Sequence, residues 1–216
     1  MSPEPLEVKS LDGLTLEAAL DSDDDPRAAL ALCHPHPKMG GTMNAPLLLA
    51  LTEELAGRGW AVLRFNFRGI GASEGEPSTG RAEVADARGA LAELRKRYPS
   101  LPDAIAGWSF GAAVAVRVAA ADPSLAACVA IAPAVEAKPD VTEGLPAPDE
   151  IEVRVPILIV CAANDHLVDL DDAKAWSARV PTSSIEVLAG ANHFFWGKYD
   201  NLAATAADFL DERVVL

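Results

Sequence analysis

The chain has 216 residues, half of them hydrophobic, with 32 acidic against 18 basic side chains and a formal net charge of −14. That length suits one domain with a sizeable core, read as residues 1–216, and the acidic excess sets aside nucleic acid and anionic membranes as partners, because both would repel it at long range. The opening "MSPEPLEVKS" lacks the apolar stretch of an export signal, and no run approaches the roughly 18 apolar residues of a membrane span, so a cytoplasmic protein is expected.

In chain order, "LEVKSLDGLTLEAAL" places two alternating runs around Asp12-Gly13, a pair that tolerates positive φ, and predicts an antiparallel hairpin. After the acidic "DSDDDP" come short apolar runs read as strands: 28–33, 60–67, 103–108, 127–132, 156–162 and 184–189. Helices are predicted between them, around 45–58, 80–97, 110–121, 171–179 and 199–212. Strand–helix alternation implies an α/β fold, a mostly parallel sheet covered on both faces with an antiparallel start. Residues 133–156 are Pro-rich and acidic and read as a surface excursion. Cys33, Cys128 and Cys161 lie in or beside apolar runs, which suits buried thiols in a reducing compartment and not nucleophiles.

Such sheets bind ligands at the carboxyl ends of their strands, and the unusual residues lie there. Gly107-Trp108-Ser109-Phe110-Gly111 is a G-x-S-x-G between a predicted strand and a predicted helix. A serine on so sharp a turn takes a strained backbone conformation, and its neighbours two residues away must be tiny to let strand and helix approach. A serine hydroxyl needs a base, and the base an orienting carboxylate. His193 follows the last predicted strand and Asp165 the one before, giving the chain order Ser109, Asp165, His193 with separations of 56 and 28 residues. Taken singly, Asp165 could be a turn residue and His193 a packing residue. Three suitable side chains after three separate strands are much harder to attribute to chance.

With its HPHP…GGT loop, "FNFRGIGASEG", "GWSFGA" and "GANHFF", the sequence resembles the α/β-hydrolase family, and more closely its small, lidless bacterial members, over about residues 7–212. The resemblance implies an α/β-hydrolase fold without a cap domain, with Ser109 as nucleophile, His193 as general base then acid, and Asp165 as the orienting acid. Asp169, Asp171 and Asp172 are neighbouring carboxylates, better suited to starting the next helix. The resemblance also assigns the oxyanion-binding N–H groups to Phe110 and to the loop after the third strand, "HPHPKMGG". Pro35 and Pro37 lack an N–H, so His36 is the first donor past His34, on a peptide plane that prolines restrict from both sides. Long-chain members usually carry a helical cap where this chain has residues 133–156, which implies a preference for short acyl groups.

Other readings compete at three places. His34 and His36 form an H-x-H pair, but no third ligand is near in sequence, and His34 reads better as a structural hydrogen-bonding group. "RGIGASEG" resembles a dinucleotide-binding turn with the wrong spacing, and fits a tight strand-to-helix turn of the hydrolase family. Of Trp108, Phe194, Phe195 and Trp196, at least two are expected in the core, and Trp108, Phe194 and Trp196 are candidates for lining an acyl pocket. The expected function is cleavage of a small-molecule acyl ester, or a thioester, through a serine acyl-enzyme with no metal or organic cofactor. A non-catalytic small-molecule binder on the same fold is the rival, and a nucleotide-dependent enzyme rests only on the glycine motif.

Overall fold

The computed structural model describes residues 3–214. The chain opens with antiparallel strands β1 (Glu4–Lys9) and β2 (Thr15–Asp21). The turn between them is closed by Ser10, whose carbonyl accepts the N–H of Gly13, and Gly13 takes the positive φ, +94°. Then follow β3 (Ala28–Cys33), α1 (Pro46–Gly57), β4 (Trp60–Phe65), α2 (Glu83–Arg97), β5 (Asp103–Trp108), α3 (Phe110–Ala121), β6 (Ala127–Ile131), β7 (Ile157–Ala162), α4 (Leu170–Ala178), β8 (Ser183–Leu188) and α5 (Tyr199–Arg213).

These strands form one sheet in the order β1-β2-β4-β3-β5-β6-β7-β8, parallel from β4 to β8. The central strands read as continuous apolar runs because both faces are covered. Leu30 and Leu32 of β3 pack with α1 and α5, whereas Ala29, Ala31 and Cys33 pack with α2 and α3 on the other face. From β3 the chain moves outward to β4 and then crosses back to β5 on the other side of β3. The carboxyl ends of β3 and β5 therefore flank the switch point where sheets of this kind form a crevice. No helix among the described residues is long and apolar enough to cross a membrane.

Two boundaries differ by more than one residue from those the sequence predicts. Strand β4 stops at Phe65 and not at residue 67: the N–H of Asn66 still reaches the Glu17 carbonyl of β2, but that of Phe67 turns to His34 Nε2 at 3.0 Å. The glycines of "RGIGASEG" do not make a strand-to-helix turn. They close a loop against β2, with Ala72 N–H on Glu17 Oε2 and Glu74 N–H on the Thr15 carbonyl. Helix α2 begins only at Glu83, whose buried carboxylate accepts the N–H groups of Ser78 and Gly80 at 2.6 and 3.0 Å.

Residues 133–156 contain no helix, and their one strand-like feature is an isolated bridge between Lys138 and Thr142. Buried Leu145, Val153 and Val155 hold the segment down, with Trp176 Nε1 donating to the Pro146 carbonyl at 2.8 Å and Arg117 donating to that of Gly144. Among the described residues, none forms a cap over the carboxyl edge of the sheet. All three cysteines are buried free thiols; burial pushes each upward, Cys161 to about 11.

Candidate active site

Ser109 sits between β5 and α3 with φ +55° and ψ −112°, a region that a side-chain-bearing residue enters only under strain. The flanking glycines are a steric necessity. A Cβ on Gly107 would lie 2.2 Å from the Gly111 carbonyl oxygen, and one on Gly111 would lie 2.4 and 2.5 Å from the carbonyl oxygens of His34 and Cys33. The elbow is thus wedged directly against the end of β3, which brings the "HPHP" loop alongside it.

His193 and Asp165 come from the loops after β8 and β7, which are tied together by the Asn164 N–H on the Ala191 carbonyl. Nδ1 of His193 lies 2.8 Å from Asp165 Oδ2, and Nε2 lies 3.2 Å from Ser109 Oγ. A carboxylate can only accept, so Nδ1 carries the proton and Nε2 presents its lone pair to the serine hydroxyl. The other carboxylate oxygen of Asp165 accepts the N–H groups of Leu167 and Val168 at 2.8 and 2.9 Å. Burial pushes Asp165 up, but the hydrogen bonds from His193, Leu167 and Val168 outweigh it and hold the carboxyl below its ordinary range. Asp169 caps α4 instead, accepting the N–H of Asp171 at 2.8 Å, and Asp171 and Asp172 occupy its first turn.

The two histidines of the "HPHP" loop have different tasks. His34 is fully buried; its Nδ1 donates to the Pro35 carbonyl and its Nε2 accepts from Phe67 N–H, so both ring nitrogens are engaged. Burial pushes it down to about 4, which keeps it neutral. The imidazole of His36 donates from Nε2 to the Val141 carbonyl at 2.9 Å, accepts the Lys38 N–H on Nδ1, and lies 5.1 Å from the Phe110 ring. An H-x-H metal pair would require nitrogens that these bonds already occupy. The backbone N–H groups of His36 and Phe110 have no hydrogen-bond partner among the described residues.

The four aromatic residues beside Ser109 and His193 in sequence divide evenly between core and surface. Trp108 and Phe195 are buried, whereas Phe194 and Trp196 are 40% and 67% exposed and stack with ring centroids 4.9 Å apart. Trp108 packs beneath His193 and donates its indole N–H to the His193 carbonyl at 3.2 Å, a support between residues 85 apart that no local sequence signal reveals.

Comparison with known proteins gives matches along the whole chain. Residues 24–152 match the family described as serine aminopeptidase, S33, a span that includes Ser109 but ends before Asp165 and His193. An uncharacterised protein of Rickettsia prowazekii is 33% identical over 195 residues, covering 86% of this chain and 79% of that protein. Among solved structures, a protein of unknown function from Agrobacterium tumefaciens is 30% identical with a TM-score of 0.84, covering 98% of this chain and 96% of its own. A serine hydrolase without a lid from Xanthomonas campestris is 25% identical with a TM-score of 0.84, covering 99% and 95%. An esterase of Pyrococcus furiosus shares the fold, at 19% identity, a TM-score of 0.85 and coverage of 99% and 94%.

Proposed function

The chain belongs to the serine aminopeptidase S33 family of α/β serine hydrolases, as a small lidless member, and from that premise we propose that it cleaves short-chain carboxylic esters through an acyl-enzyme on Ser109. The observation that carries this reading is the imidazole of His193, held between Asp165 at 2.8 Å and Ser109 at 3.2 Å.

In this reading Ser109 Oγ attacks the carbonyl carbon while its proton passes to His193 Nε2. Asp165 orients the ring and stabilises the imidazolium. The N–H groups of His36 and Phe110 receive the developing oxyanion, and two donors already without protein partners need no rearrangement to do so. The imidazolium then gives its proton to the departing alkoxide, and a water repeats the sequence to release the acid. The buried free thiols support a reducing, cytoplasmic setting.

Labelling with a fluorophosphonate followed by peptide mapping tests this reading. The adduct is expected on Ser109, and Ser109→Ala should lose both the adduct and the turnover of an acetyl ester. An adduct on another serine would overturn the assignment. Parallel assays with an acetyl thioester and an amino acid anilide separate ester cleavage from thioester and amide cleavage.

A further inference from the structure

Building on the ester-cleaving reading, we propose that Phe194 and Trp196 form a subsite for the alcohol portion of the substrate, and that this portion is aromatic: the protein takes short acyl esters of aryl or arylmethyl alcohols.

The backbone here is arranged around a buried anchor. Phe195 is fully buried and has φ +53°, an outlier for a bulky side chain. Asn192 holds this turn, its side chain accepting the Phe194 N–H at 3.0 Å and its carbonyl the Phe195 N–H at 2.9 Å. With Phe195 committed to the core, the residues on either side lie at the surface, where their rings stack nearly parallel, 14° apart. Phe194 also meets the His193 imidazole edge-on, at 5.6 Å and 89°. A continuous aromatic path therefore leads from the imidazole to solvent, ending in the exposed indole of Trp196.

The chemistry says which part of the substrate follows that path. As the Ser109 Oγ–carbon bond forms and the ester C–O bond breaks, the electron pair leaves on the alcohol oxygen. That oxygen takes the proton from His193 Nε2, so it must come within hydrogen-bonding distance of Nε2. The substituent it carries emerges beside His193, whose ring Phe194 contacts, while the acyl chain hangs from the carbonyl carbon by a different bond. Two stacked rings with an open indole face favour a flat π system over a puckered aliphatic one of equal size.

The test compares benzyl acetate with cyclohexylmethyl acetate, two esters with similar leaving alcohols that differ in aromaticity. Wild-type kcat/KM should favour benzyl by about fivefold to tenfold. Trp196→Ala should collapse that ratio toward one, Trp196→Phe should retain most of it, and the collapse should be the same for the butyrate pair. Thermal unfolding of each variant controls for folding, which a side chain as exposed as Trp196 should not disturb. Equal rates for the two alcohols in the wild type, an unchanged ratio in Trp196→Ala, or a loss that follows acyl length would overturn the aromatic alcohol subsite alone. No turnover of any acetate ester together with no phosphonate adduct on Ser109 would overturn the hydrolytic reading and the subsite with it.

Discussion

His36 Nε2 lies 2.9 Å from the carbonyl oxygen of Val141, a residue 105 positions further along the chain. One hydrogen bond thus ties the loop after β3 to the uncapped excursion before β7. The imidazole is thereby engaged with Val141 and Lys38, so in the proposed mechanism the group His36 offers to the reaction is its backbone N–H.

Substitutions at His36 separate the amide from the imidazole. His36→Ala keeps the N–H and removes the imidazole with its bonds to Val141 and Lys38 and its contact with the Phe110 ring, so kcat should fall by no more than about tenfold. His36→Pro deletes the donor without straining the backbone, since φ is already −53° and ψ 121°. A loss of about 100-fold or more in kcat is expected. Steady-state kinetics giving equal losses for the two variants would show that the imidazole is what matters.

Ser109, His193 and Asp165 should behave as one unit. His193→Ala and Asp165→Ala are each expected to lower kcat by about 10⁴-fold, and the double variant should lose far less than the product. Multiplicative losses in such a cycle would separate the two side chains.

Gly111→Ala should prevent stable folding. The added methyl meets two backbone oxygens, of His34 and Cys33, at 2.4 and 2.5 Å, and Cys33 cannot move without disturbing its pairing with Gly107 in the sheet. A destabilisation of about 3 kcal/mol or more is expected from urea denaturation.

His34 makes stability depend on pH. An unfolded histidine binds its proton below about 6.5, whereas the buried ring resists until about 4. Within that window the unfolded state holds more protons, so stability falls as pH falls, by about 3 kcal/mol in total from this group. Denaturation of the wild type and of His34→Gln between pH 7 and pH 4 should show the wild type losing that much more.

Acyl length should matter because no cap over the site is formed among the described residues. A long chain finds little apolar area to cover at about 25 cal/mol per Å², so methylenes beyond a short pocket add little to transition-state binding. Across nitrophenyl esters, kcat/KM should peak between acetyl and butyryl and fall steeply past about six carbons. A maximum at twelve carbons or more would mean that residues 133–156, or a partner, supply a cover.

The elements and the elbow were legible in the sequence because their causes are local. A strand buried on both faces must be apolar throughout, as at residues 28–33 and 103–108, and a serine on a strained turn needs glycine two residues to either side. Other features required the folded chain. Among four nearby aspartates the resemblance singled out Asp165, but the contact itself needs the meeting of the loops after β7 and β8, where Asp165 faces His193 while Asp169 caps a helix. The same holds for His34, whose Nε2 ends β4 by taking the N–H of Phe67, and for Phe194, Phe195 and Trp196, where the turn at Phe195 set which side chain enters the core. These contacts join residues tens of positions apart. Periodicity records which face of an element is buried, but not which distant atom a polar group on a loop will find.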